Sequence, residues 1–135
     1  YFNVYGERQN LDGAYALVMC VFAKQRMQGK PLTIRGDGEQ RRDFTHVLDI
    51  AKANLLAMQS NKVGNGEVIN IGNCDNRSIN EIARLIGGET VNIDPVIEPR
   101  ETLADNSKAK ELLGWLPEIK VEDWIPKYKK DLGID

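Results

Sequence analysis

Gly36-Asp37-Gly38-Glu39-Gln40-Arg41-Arg42-Asp43-Phe44 follows the apolar run Leu32-Thr33-Ile34 after a single intervening residue, Arg35. The Gly-Asp-Gly turn ends one short strand and delivers two adjacent arginines onto a second. Successive side chains of a strand point to opposite faces, so Arg41 and Arg42 must diverge. One account leaves both in solvent or paired with Asp37, Glu39 and Asp43 around a hairpin. The other turns one of them inward onto an anion, because the planar guanidinium matches phosphate through two parallel hydrogen bonds. The glycines do not form a nucleotide fingerprint: the G-x-G-x-x-G spacing is missing, and a strand rather than a helix follows.

Outward from this stretch, strands and helices alternate. Tyr1 to Gly6 reads as a buried strand ending in a turn. Ala14 to Gln28 has helical apolar spacing, with Tyr15, Val18, Met19 and Phe22 on a common side and Gly29 as the stop. Pro31 to Ile34 and Asp43 to Val47 are short strands, and Leu48 to Ser60 is an Ala- and Leu-rich helix. Glu67 to Gly72 reads as a strand after a Gly-Asn-Gly turn. Ser78 and Glu81 form a capping box for a helix that ends at Gly87-Gly88. Thr90 to Ile93 is a strand, Ser107 to Leu113 a helix closed by Gly114, and Glu122 to Leu132 the last helix, with Pro126 tolerated near its first turn. The pattern predicts an α/β fold with some parallel pairing.

Composition excludes several classes. The 135 residues, 41% of them hydrophobic, suffice for one domain with a core, placed over residues 1–135. A formal charge of −2 gives no basic surplus for nucleic acid. No apolar run is long enough to span a membrane. Cys20 and Cys74 are far apart and His46 is the sole histidine, so neither a zinc site nor a disulfide framework is expected. A reducing, cytoplasmic setting is the corresponding expectation. Glu81 is assigned to the capping box, His46 to a satisfied strand position, and Trp115 and Trp124 to anchoring the terminal helices. No nucleophile and base pair is evident.

Several segments in this order carry a resemblance: Tyr1-Phe2-Asn3-Val4-Tyr5-Gly6, Gly29-Lys30-Pro31-Leu32-Thr33-Ile34, the Gly36-to-Phe44 stretch, Asn70-Ile71-Gly72, and Leu103-Ala104-Asp105 through Ser107-Lys108-Ala109 to Leu112-Leu113-Gly114-Trp115. Together they resemble the extended short-chain dehydrogenase/reductases, within them the NAD-dependent nucleotide-sugar epimerases and dehydratases. The likeness is nearer the UDP-glucose 4-epimerase type than the 4,6-dehydratase type. It implies a substrate-binding half, with residues 1–6 as the end of the sheet belonging to an absent Rossmann half. The glycine-rich NAD loop is missing, and Lys lies four places after none of the four tyrosines, so the Tyr-x-x-x-Lys pair is missing too. The expectation is an inactive part of a longer enzyme that oxidises a sugar at C4 with NAD, through a keto intermediate. The alternative is a freestanding module that binds nucleotides or self-associates.

The resemblance also implies roles. Phe2 matches a backbone approach to the nicotinamide of NAD, and Asn3 a hydrogen bond to the sugar-nucleotide diphosphate. Val18 and Met19 fall where the family contacts substrate. Thr33, Ile34 and Arg35 correspond to the strand lining the base pocket, and Arg42 to the arginine that grips the diphosphate, leaving Arg41 in solvent. The family's Arg-Pro-Gly-Asp/Glu loop is replaced by Asp94-Pro95-Val96-Ile97-Glu98-Pro99-Arg100-Glu101, in which Arg100 is the candidate substitute for a second phosphate arginine. The expected partner is a UDP-sugar, and the exposed apolar face and strand edge left by the missing half predict a homo-oligomer.

Overall fold

The computed structural model describes residues 1–11, 13 and 15–134. Among these described residues, six strands and five helices run in the order β1 (Val4–Tyr5), α1 (Val18–Met27), β2 (Leu32–Arg35), β3 (Arg41–Asp43), β4 (Thr45–His46), α2 (Val47–Gln59), β5 (Asn76–Ser78), α3 (Ile79–Ile86), β6 (Thr90–Ile93), α4 (Ser107–Leu113) and α5 (Val121–Leu132). The strands form three two-stranded sheets, β1–β4 and β2–β6 parallel and β3–β5 antiparallel. The α/β class and its partly parallel pairing are therefore as the periodicity predicts.

The turn between β2 and β3 does not make a hairpin. Gly36 and Gly38 have φ of 60° and 74°, and the Gly38 carbonyl accepts from Asn80 N at 3.0 Å while Asn80 Nδ2 donates to the Asp37 carbonyl at 2.9 Å. The first turn of α3 thus seizes the connection and carries β3 away from β2. A Cβ on Gly38 would lie 2.2 Å from Asn80 Oδ1 and 2.7 Å from Ile34 Cγ2, so this close approach requires glycine.

Four local expectations are corrected. The first helix starts at Val18 rather than Ala14, which lies outside the described residues; Tyr15 precedes the helix and is fully exposed. The stretch from Asp43 to Val47 is broken at Phe44, and α2 already begins at Val47, because His46 Nδ1 accepts the Leu48 amide at 3.2 Å and caps it. Glu67 to Gly72 has no strand ladder; one bond, Phe2 N to the Ile71 carbonyl at 3.2 Å, ties it to the amino terminus. Pro126 sits inside α5 beyond its first turn. The capping box on α3 forms as expected, Ser78 accepting from Glu81 N and Glu81 accepting from Ser78 N.

Tyr5, α1, β2, α3 and α5 share the larger apolar core, with Phe22, Leu32, Ile82, Ile86 and Ile125 fully buried. A smaller core joins Ile50 and Ala53 of α2, Ile71, Ala109 of α4 and Trp115. Both tryptophans anchor the carboxy-terminal helices: Trp115 Nε1 donates to the Asp49 carbonyl at 2.9 Å, and Trp124 stacks on Tyr128 with ring centroids 4.4 Å apart.

Two buried carboxylates fasten loops to this frame. Asp43, at 0% exposure, accepts from Asn73 N at 2.8 Å and from Cys74 N and Ala104 N, each at 2.9 Å. Asp49 accepts from the amides of Glu118 and Ile119. A buried acceptor that serves several amides is costly to lose, because the orphaned donors stay desolvated. Asp43→Asn should therefore lower unfolding stability by about 2–4 kcal/mol in a urea titration. A loss within about 0.5 kcal/mol would contradict this role.

Burial holds the His46 imidazole below its ordinary pKa, partly offset by Glu7, whose Oε2 lies 3.4 Å from Nε2. The neutral ring is thus favoured in the folded state, and its contribution is present above the unfolded pKa of about 6.5 and lost as pH falls. His46→Asn replaces the capping Nδ1 by a side-chain oxygen that can accept the same amide, and removes the titration. Its melting temperature should change less between pH 7 and pH 5.5 than that of the parent; an equal change would refute the assignment.

Candidate functional site

Alternation along β2 separates core from cavity. Leu32 and Ile34 are buried in the larger core, whereas Thr33 and Arg35 face the other way. Thr33 is fixed by a double contact with Gln25 of α1: its amide donates to Oε1 at 3.1 Å and its hydroxyl accepts from Nε2 at 2.8 Å. On α1 the same division holds, since Met19 is completely buried while Val18 is only partly covered. Val18, Phe22, Thr33, Arg35, Gln40 and Glu98 line a cavity of about 490 Å³. Of the residues expected to contact substrate, Val18, Thr33 and Arg35 therefore present side chains to one space. Met19 and Ile34 belong to the larger core and do not line it.

The two arginines diverge as strand geometry demands. Arg41 is not in solvent: Nε donates to Asn76 Oδ1 at 2.6 Å, Nη2 to the Asn76 carbonyl at 2.9 Å, and Glu81 lies 3.1 Å away. It bolts β3 to β5 and the start of α3. Arg42 is the more enclosed, with 13% of its side chain exposed; Nη1 donates to the Arg41 carbonyl at 2.8 Å and Nη2 to Glu98. Glu98 also accepts from Gln40 Nε2 at 3.2 Å, so Gln40, Arg42 and Glu98 form one polar corner at the cavity rim. Gln40 and Glu98 are not among the site residues expected from the sequence. The period of two that links residues 40 and 42 could have found Gln40, but nothing local marks Glu98.

Arg100 points elsewhere. Its guanidinium makes a two-pronged contact with Asp37, at 2.8 and 3.0 Å, and both groups are well exposed. Those hydrogen bonds hold the Asp37 carboxyl down to about 2. The pair closes a neighbouring recess of about 300 Å³ that shares Arg35, Gln40 and Glu98 with the larger cavity. Asn3 takes a positive φ of 31°, a conformation asparagine tolerates, and its Nδ2 donates to the Asp43 carbonyl at 2.8 Å. Phe2 packs over Gly72, its ring edge 3.1 Å from where a Cβ would stand.

These residues do not form a dinucleotide cradle. The Gly36-Asp37-Gly38 turn leads into β3, not into a helix whose amides could hold a pyrophosphate. Phe2 and Asn3 immediately precede β1.

Residues 1–72 match the family model described as NAD dependent epimerase/dehydratase family. The chain belongs to that family. It is 36% identical to UDP-glucuronic acid decarboxylase 3 of Arabidopsis thaliana across 98% of its own length and 40% of the relative's. It is 38% identical to a Bacillus subtilis protein named as an uncharacterized UDP-glucose epimerase, across 93% of this chain and 40% of that one. Among solved structures, UDP-glucose 4-epimerase of Thermotoga maritima with UDP-glucose superposes with a TM-score of 0.84 at 36% identity, over 98% of this chain and 45% of the enzyme. UDP-glucuronic acid 4-epimerase of Bacillus cereus, in complex with UDP-glucuronic acid and NAD, gives 0.85 at 37%, over 98% and 44%. The chain thus spans about two fifths of the curated relatives it matches. No helix among the described residues is long and apolar enough to cross a membrane.

The division of β2 into two faces is directly measurable. Ile34→Ala should cost about 2–5 kcal/mol of unfolding stability, as core truncations do, and Arg35→Ala less than about 0.5 kcal/mol. Equal costs would mean that the strand does not separate core from cavity.

Proposed function

We propose that this chain is the substrate-binding part of an NAD-dependent nucleotide-sugar epimerase of the UDP-glucose 4-epimerase type, acting on a UDP-sugar. The observation that carries the proposal is the juxtaposition of a cavity walled by Val18, Phe22 and Thr33 with the guanidinium of Arg42 at its polar rim. Apolar walls accept a planar base, and an enclosed arginine neutralises a diphosphate, where a charge-assisted bond is stronger than at an open surface. The likeness to enzymes crystallised with UDP-sugars supports a UDP-sugar as the class of ligand.

Under this proposal the chain contributes position and the remainder of the enzyme contributes chemistry. Oxidation at C4 needs a hydride acceptor and a base, and neither is supplied by these 135 residues. NAD would be held mainly by residues outside this chain, with the backbone of Phe2 next to the nicotinamide. Orientation of the sugar by Arg42, Thr33 and Val18 would then turn binding energy into proximity at the reacting carbon. Asn3 Nδ2 gives one N–H to the Asp43 carbonyl and would offer its second to the diphosphate. The decarboxylases among the relatives favour a second reading, in which the keto intermediate is carried on to loss of carboxylate.

Calorimetric titration of the chain with UDP tests the site. Arg42→Ala should weaken UDP binding by about 10- to 100-fold, the equivalent of one charge-assisted contact, with binding of uridine changed less than about twofold on the same scale. Equal UDP affinity in parent and variant would remove the diphosphate role from Arg42. With NAD and UDP-glucose, the chain alone should show no turnover.

A further inference from the structure

We infer that Glu98 is an internal anion that occupies Arg42, so that a diphosphate gains this arginine only by displacing the carboxylate. The inference rests on the nucleotide-sugar reading of the site and adds to it a residue that sets how tightly the anion is held.

The geometry is specific. Arg42 does not line the cavity; Gln40 and Glu98 do, and Nη2 of Arg42 ends on Glu98 Oε2. The Glu98 carboxylate therefore stands between the guanidinium and the space a ligand would fill. Its other oxygen accepts from Gln40 Nε2, which also donates to the Arg35 carbonyl at 3.1 Å. A carboxylate with both oxygens on donors at a cavity rim presents the charge and the acceptors of one phosphate edge.

The backbone allows the exchange. At one end of the arc 94–99, β6 is clamped by Gly36 N donating to the Ile93 carbonyl at 2.9 Å. At the other, Arg100 is fixed twice, its carbonyl accepting from Arg41 N at 2.8 Å and its guanidinium resting on Asp37. Between these anchors the arc is exposed, and Glu98 ties its middle to the body. Rotation of the Glu98 side chain frees Arg42 without disturbing either anchor. The incoming phosphate replaces one anion by another, so the arginine never stands desolvated and unpaired.

The test is titration of the 135-residue chain with UDP and with uridine. Glu98→Gln keeps an acceptor of the same shape and removes the competing charge. It should tighten UDP binding about fivefold, the difference between a charged and a neutral partner on one guanidinium, and leave uridine unchanged. In an Arg42→Ala background the same substitution should change UDP affinity by less than about twofold, because a cycle isolates the coupling of the pair. A Glu98→Gln variant that binds UDP as the parent does, while Arg42→Ala still binds weakly, overturns the inference and spares the clamp. Weaker binding of both UDP and uridine to Glu98→Gln overturns it in favour of a direct contact between Glu98 and the nucleoside. Arg42→Ala equal to the parent for UDP overturns the clamp, and the inference with it.

Discussion

The buried carboxylate of Asp43 is the constraint on which the arrangement depends. It lies at the end of β3 and gathers the amides of Asn73, Cys74 and Ala104 from two separate loops, while its own carbonyl takes the Asn3 side chain. A charge with no exposure is tolerated because the amides replace its lost hydration. Since Arg42 precedes Asp43, the same bonds fix the height and twist of β3, and with it the direction of the arginine. Site and scaffold are joined by one peptide bond.

The two adjacent arginines show how one strand serves both purposes. Arg41 spends its guanidinium on Asn76 and Glu81 and holds β3 against β5 and α3. Arg42 leaves on the opposite face, where its Nη1 takes the Arg41 carbonyl and its Nη2 takes a loop side chain, Glu98. Arginine suits both tasks because its fork satisfies several fixed acceptors or one anion with equal geometry. An identical residue pair is thus divided between structure and site by the pleat alone.

Much of this was legible in the residues. The capping box at Ser78 and Glu81, the strand at Thr90 to Ile93 and the glycine stops after α1 and α4 depend on short-range chemistry, and they stand where spacing places them. The divergence of Arg41 and Arg42 and the anchoring by Trp115 and Trp124 were also foreseeable. The failures are long-range. A Gly-Asp-Gly turn between two strands suggests a hairpin, but Asn80, far along the chain, captures the turn and sends β3 to β5. Arg41 looks like a surface residue until Asn76 and Glu81 arrive beside it.

Alone, the sequence determined the class of fold, the helices with strong apolar period or caps, and the family, because these rest on local propensity and on motif order. Only the tertiary structure decided which strands pair, which face of β2 meets the core, that Arg100 goes to Asp37, and that Glu98 sits on Arg42. The physical reason is that a guanidinium or carboxylate is equally willing to pair with any opposite charge. Its partner is chosen by which segments the buried contacts of Asp43, Asp49 and the two cores bring within about 3 Å, the length of a hydrogen bond.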